Sequence, residues 1–232
     1  MPTPNYNIKW DEDTKRFYET GNKMGVLYVR DPKPQDATKA YPKGVAWNGL
    51  TAVTESPEGA EATDLWADDI KYLTMRSAET FKGTIEAYTY PDEFAECDGS
   101  AEIATGVYTG QQPRKTFGFC YRTVLGNDAQ LDSYGYKLHL VYGATASPSE
   151  KAYQTINDSP EAITFSWEFD CVPITVPGIE KPVYQLTIDS TKADATKLAA
   201  LEAKLYGTAA EGQTPAVDGY LPLPAEVITT MS

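Results

Sequence analysis

Side-chain character alternates with a period of two along much of this chain. In Ile163-Thr-Phe-Ser-Trp-Glu-Phe-Asp170 the apolar Ile163, Phe165, Trp167 and Phe169 fall on one side, and Thr164, Ser166, Glu168 and Asp170 on the other. That is the pattern of a strand with one dry face and one wet face. Glu79–Tyr88 alternates in the same way, with Phe81, Gly83, Ile85 and Ala87 opposed to Thr80, Lys82, Thr84 and Glu86. Aromatic and β-branched enrichment predicts further strands at Arg16–Thr20, Val26–Arg30, Val45–Glu55, Ile70–Ser77, Thr116–Val124, Tyr134–Tyr142 and Val183–Ile188. Gly21-Asn22 and Gly126-Asn-Asp128 supply turn residues between neighbouring strands. The chain is therefore expected to be mainly β and antiparallel. Its 41% hydrophobic residues are enough to fill a core.

Two helices stand against this background. Pro91–Cys97 has Pro at a first helical position and acids in its first turn, and Asp98-Gly99 stops it. Lys192–Tyr206 carries the stripe Leu198, Leu201, Leu205, with Ser190 or Thr191 as the expected cap, Asp194 completing a capping box, and Gly207 closing it. Beyond a polar loop at 208–219, Leu221–Ile228 reads as an extended, Pro-spaced apolar tail that docks on the body. The expected division is a β domain over 1–189 and a C-terminal helix with its tail over 190–232.

Charge narrows the function classes. The formal net charge of −13 disfavours a protein that grips nucleic acid, which needs Lys and Arg to displace counterions. The acidity is uneven. The first 43 residues hold eight basic and six acidic side chains, and the remainder twelve and twenty-seven. Thr51–Ile70 has no base and carries Glu55, Glu58, Glu61, Asp64, Asp68 and Asp69, which reads as an acidic loop. Pro91–Pro113 is likewise free of Lys and Arg. A mildly basic N-terminal segment and acidic loops can match each other head to tail across copies. Met1–Tyr6 shows neither the basic start nor the apolar run of a secretory signal, so cytosolic synthesis is expected, and no stretch is apolar enough to insert in a membrane.

Motifs of chemistry are missing. His139 is the one histidine, and no G-x-S-x-G elbow accompanies it; a strand histidine packed or hydrogen-bonded in place is the reading. Cys97, Cys120 and Cys171 are too scattered for zinc or redox exchange and read as buried thiols. Glu168 and Asp170 share a strand face about 7 Å apart, a spacing that also suits paired-carboxylate hydrolysis, but 33 acids make such pairs common. Asp11-Glu-Asp13 and Asn127-Asp128 with Asp132 do not follow a Ca²⁺-loop spacing, phosphate loops are lacking, and Asn157-Asp-Ser159 matches a glycosylation sequon by chance. No cofactor and no catalytic residue is expected, and function is placed in surfaces.

Several segments taken together, in this order, carry a resemblance: Trp47–Glu61, Leu65–Tyr72, Glu79–Phe94, Phe117–Arg122, Tyr136–Tyr142, Trp167-Glu-Phe169, Leu198–Gly207 and Leu221-Pro-Leu-Pro224. The chain resembles the major tail (tail tube) proteins of long-tailed bacteriophages of Gram-positive bacteria. The resemblance implies an antiparallel β-sandwich or barrel-like subunit with a flanking helix. It also implies hexameric rings that stack into a hollow tube through which DNA passes without specific binding. The partners it implies are the protein itself and the tape-measure, tail terminator and distal tail proteins, and the implied location is the virion, after synthesis in the host cytoplasm. On this reading Thr164, Ser166, Glu168 and Asp170 are candidates for the lumen, and the six acids of Thr51–Ile70 for ring-to-ring contact. The alternatives are a related tail component that forms one closed ring, and a carbohydrate-binding or hydrolytic β-sandwich that stacks sugars on exposed Tyr and Trp.

Overall fold

A computed structural model describes residues 7, 8, 10, 12–153, 155, 162–211 and 215–232. The sequon at Asn157, and Asp11 of the Asp11–Asp13 run, lie outside them. The described residues form twelve strands: β1 (Phe17–Val29), β2 (Gly44–Ala46), β3 (Leu50–Glu55), β4 (Ala62–Ala67), β5 (Ile70–Arg76), β6 (Lys82–Ala87), β7 (Ala101–Ala104), β8 (Val107–Thr109), β9 (Phe117–Asn127), β10 (Leu131–Ala146), β11 (Phe165–Cys171) and β12 (Gln185–Asp189). A 3₁₀ turn at Asp92–Phe94 runs into α1 (Ala95–Asp98), and α2 (Ala195–Tyr206) and α3 (Pro224–Met231) follow the last strand. Every ladder is antiparallel. The mainly β expectation is met.

Eight strands form one sheet in the order β2-β1-β9-β10-β11-β6-β3, with β12 also on β10. The two end strands, β2 and β3, are joined by only Trp47, Asn48 and Gly49, so the chain itself rolls the sheet towards closure. Gly25 of β1 accepts from the Trp47 amide at 2.8 Å, and a Cβ there would stand 2.9 Å from Leu50 Cδ2. The long strand β10 turns the corner at Gly143, which has φ of 66°. A side chain at 143 would collide with Val172 O at 2.2 Å, so glycine is required both for the conformation and for the approach of the next segment.

The alternation sorts side chains to two sides of this roll. Inside lie Leu27, Trp47, Ile85, Phe94, Phe117, Phe119, Val141, Trp167 and Phe169, all buried. Their rings interlock edge to face, as in Phe94 with Trp167 at 5.0 Å and Phe119 with Phe169 at 5.3 Å. Outside β1, β9 and β10, a second apolar layer of Tyr28, Cys120, Leu138, Leu140 and Tyr142 meets Leu198, Leu201 and Leu205 of α2, then Leu221 and Val227 of the C-terminal segment. Gly118 lets that segment in, since a Cβ there would sit 2.5 Å from Leu221 Cδ2.

Local expectations needed correction at several points. Gly21-Asn22 is not a turn: β1 runs straight through it, with irregular register between Thr20 and Val26 absorbing the glycine as a bulge. Val45–Glu55 is two strands, not one, broken at Gly49, where φ is 77°. Only part of the acidic stretch Thr51–Ile70 is a loop: Ser56–Glu61 connects β3 to β4, and the rest is β3, β4, the Asp68-Asp69 turn and the first residue of β5. The α2 cap is Asp194 itself, whose Oδ1 accepts from Thr196 and Lys197 amides at 2.9 and 3.0 Å. Thr191 lies four residues ahead of Ala195, the first helical residue, too far upstream to accept from the first helical amides, and its hydroxyl donates to Asp189 at 2.6 Å instead. The apolar tail is a helix from Pro224 onward. Proline at the first helical position lacks an N–H that no helical carbonyl would have taken, so it starts α3 instead of excluding it. The turn expected at Gly126-Asn-Asp128 falls slightly later, at 128–130: Gly126 and Asn127 end β9, and Asn127 Oδ1 accepts from the Ala129 and Gln130 amides and bends β9 into β10.

Candidate functional site: surfaces at the two ends and one side of the barrel

The hairpin β4–β5 leaves the barrel beyond Glu55 and pairs with no other strand among the described residues. Its base is closed by the Ser77 amide donating to Glu61 O at 3.1 Å and the Glu61 amide donating to Ser77 Oγ at 3.1 Å. Its tip is Asp68-Asp69, both at positive φ (52° and 64°), as a two-residue hairpin turn demands. Pairs Thr63 with Met75, Leu65 with Leu73, and Ala67 with Ile70 occupy one face. The other carries Asp64 with Thr74, and Trp66 with Lys71. Asp64 accepts from Thr74 at 2.7 Å and meets Lys71 at 2.8 Å, which holds its carboxyl below the usual range. Leu65, Leu73 and Met75 remain 41, 40 and 57% exposed. This is an amphipathic ribbon whose apolar face lies in water.

The six acids of this stretch are therefore not one patch. Asp68 and Asp69 form the tip and Asp64 lies on the polar face. Glu61 is at the base, and Glu58 bridges backbone to Thr80 and ion-pairs with Lys82 at 2.6 Å. Glu55 turns over the mouth of the barrel, where it accepts from Tyr121 OH at 2.5 Å and from Gln185. A second hairpin, β7–β8, was not read in the sequence. It leaves the opposite end of the barrel after α1, turns at Gly106 and exposes Ile103, Val107 and Tyr108. That end also carries the 30–43 loop, with Arg30, Lys33, Lys39 and Lys43 against Asp31 and Asp36.

The outer face of β11, β6 and β3 is bare. Ser166 is registered with Glu86, Glu168 with Thr84, Asp170 with Lys82, and Thr84 with Thr54. Glu168 and Asp170 are exposed, Ser166 is half-buried, and Thr164 is exposed just ahead of β11. A groove of about 550 Å³ runs there, lined by Ser56, Glu58, Lys82, Thr84, Glu168 and Asp170 among others.

The outer face of β1, β9 and β10 is instead locked beneath the helices. Tyr28 OH donates to Leu205 O at 2.9 Å and Tyr142 OH to Pro222 O at 3.0 Å. Arg122 lies 4.3 Å over the Tyr136 ring and 5.1 Å over that of Tyr206, and pairs with Glu202 at 2.7 Å. The three cysteines are free and buried; burial pushes the Cys120 thiol up to about 11 and those of Cys97 and Cys171 up to about 12. Such thiols are inert at neutral pH. Among the described residues no group of three or more His, Cys, Asp or Glu is placed to hold a metal, and no helix is long and apolar enough to cross a membrane.

No family model matches the chain. No curated protein matches it either. Among solved structures, it is similar to a chain of the six-fold symmetrised anti-feeding prophage baseplate, at 9% identity and a TM-score of 0.36 over 80% of this chain and 99% of that one. A chain from the sheath/tube terminator of an extracellular contractile injection system, PVC, in its extended state is 10% identical, with a TM-score of 0.32 over 78% of this chain and 99% of that one. Scores this low say nothing of the role of this chain.

Proposed function

We propose that this protein is a structural subunit that assembles with its own copies into stacked hexameric rings, forming the hollow tail tube that delivers phage DNA. The observation that supports this most is the unpartnered β4–β5 ribbon. A two-stranded hairpin with water on both faces is marginal by itself, so its apolar face of Leu65, Ile70, Leu73 and Met75 calls for a surface to lie on. Residues 55–69 carry six carboxylates and no base, whereas the loop at the other end of the barrel holds four bases against two acids. A contact between opposite ends of two copies is head to tail and repeats without closing along its axis.

In this reading Glu58, Glu61, Asp64, Asp68 and Asp69 line ring-to-ring contacts, while Glu55 braces the root of the hairpin from the mouth of the barrel. The bare face with Thr164, Ser166, Glu168 and Asp170 borders the lumen. Its acids repel phosphate, so DNA slides where a Lys/Arg wall would hold it by counterion release. The tape-measure, terminator and distal tail proteins are the partners at the tube's axis and ends, and the location is the virion.

Electron microscopy of the concentrated protein tests this. Hollow tubes are expected from the intact chain. A variant with Ala62–Arg76 replaced by Gly-Gly should keep its far-UV circular dichroism, because Glu61 and Ser77 already meet, and should form no tubes. A wild-type monomer at every concentration overturns the reading. Single closed rings that never stack would leave the one-ring tail component in its place.

A further inference from the structure

The hairpin-bearing end of the barrel is closed by a polar cluster to which five strands contribute. Glu19 comes from β1, Glu55 from β3, Tyr121 and Thr123 from β9, Lys137 and His139 from β10, and Gln185 and Thr187 from β12. His139 is 9% exposed and stacks on Tyr121, with ring centroids 4.6 Å apart and planes within 6°. It thereby ends the interior ladder of Phe117, Phe119 and Tyr121.

The hydrogen bonds fix its tautomer. Thr123 has one hydroxyl proton and donates it to Glu19 Oε1 at 2.5 Å. The 3.0 Å contact between Thr123 Oγ1 and His139 Nε2 therefore needs the proton on Nε2. That leaves Nδ1 with the lone pair. It faces Thr187 Oγ1 at 3.5 Å and Glu55 Oε1 at 3.8 Å.

We propose that Nδ1 of His139 is a proton-operated contact at the root of the β4–β5 hairpin. Uncharged, it accepts from Thr187; protonated, it donates to Glu55 Oε1 and competes with Tyr121 and Gln185 for that oxygen. Glu55 is the last residue of β3, and three residues further Glu58 bridges to Thr80. A shift of the Glu55 carboxylate is therefore passed to the segment from which the hairpin springs.

The charged and titratable groups facing the ring are Glu19, Glu55, Tyr121 and Lys137; β12 supplies only Gln185 and Thr187, which do not titrate. Burial lowers the imidazole below its ordinary value, the two carboxylates pull it back in part, and Lys137 acts with burial. The fold thus favours the uncharged ring. The stability this contributes is complete above about pH 6.5 and is lost as pH falls from there through the folded midpoint. Glu19 loses its contribution in a separate, lower window: its lone pairs are partly desolvated, but Lys137 and Thr123 hold it below the usual carboxylate range.

With one histidine in the chain, one imidazole Cε1–H resonance reports it in the intact protein without assignment. The midpoint is expected below 6.5, moving lower by about 0.5 in Glu55→Gln, where an attractive charge is lost, and higher in Thr187→Val, where a partner of the uncharged form is lost. Amide exchange at residues 53–58 should quicken roughly threefold or more relative to the barrel as the wild type is acidified from pH 7 to 5, and stay level in His139→Gln. A midpoint at or above 6.5, a midpoint unmoved in both Glu55→Gln and Thr187→Val, or equal exchange profiles in wild type and His139→Gln would overturn the proposal. None of these readouts depends on assembly into a tube.

Discussion

One sheet has two outer faces here, and they are finished in opposite ways. Over β1, β9 and β10 the outward residues are Tyr28, Cys120, Leu138, Leu140 and Tyr142, and two helices cover them. Over β11, β6 and β3 the outward residues are Ser166, Glu168, Asp170, Lys82, Thr84, Glu86 and Thr54, and no helix among the described residues covers them. The interior side is equally apolar beneath both, as Phe119 and Trp167 show. Stability therefore does not explain the difference. A face that no helix among the described residues covers is either solvated or kept for something outside the subunit.

The comparison breaks first at Leu201. It is fully buried where α2 meets the sheet. Leu201→Ala should lower the unfolding free energy by about 2–5 kcal/mol, the cost of lost burial plus a cavity, read by urea denaturation. A loss within about 0.5 kcal/mol, the range of an ordinary surface change, would mean the helices are accessory and the two faces are not finished differently after all. Asp194→Ala comes next. Removing the carboxylate that caps α2 should cost about 1 kcal/mol, and Asp194→Asn should recover most of it because the cap needs an acceptor more than a charge.

The strands that bury one face were legible because burial writes itself into the alternation. Phe117, Phe119 and Tyr121 point inward while Gly118, Cys120 and Arg122 point outward, as period-two reading requires. The elements that escaped reading are those whose partners lie elsewhere. Of the β4–β5 hairpin only β5 is legible, as the strand expected at Ile70–Ser77; β4 has its apolar face in water and its acids dispersed, so it resembles a solvated loop until the Asp68-Asp69 turn is recognised. In β7–β8, Glu102 accepts from the Gly106 amide at 2.8 Å, a signal visible only once the turn is formed. α3 was hidden by Pro222 and Pro224, since proline marks a helix start and an extended segment equally well; Leu223, Val227 and Met231 at four-residue spacing were the cue. Of the candidate surface residues, alternation placed Ser166, Glu168 and Asp170 on one face, but nothing local told Glu55 to turn over the mouth of the barrel. That depends on Tyr121, 66 residues away.

The smallest effect on stability belongs to the bare face, and it is the sharpest test of why that face is bare. Glu168 and Asp170 are exposed, and no hydrogen bond to either side chain is seen among the described residues. Glu168→Gln with Asp170→Asn should then change the unfolding free energy by no more than about 0.5 kcal/mol. The polar surface is kept but its charge is removed. If the face borders a DNA path, adding bases should matter far more than removing acids, because phosphate binding grows with every counterion released. Glu168→Lys with Asp170→Lys should leave the melting midpoint nearly unchanged and yet make the protein retain duplex DNA at low salt, with retention falling steeply as salt is raised. The neutral pair should retain none. A large destabilisation by the neutral pair would show that the two faces both serve the fold; DNA retention absent in the lysine pair would remove the electrostatic reason for an acidic wall.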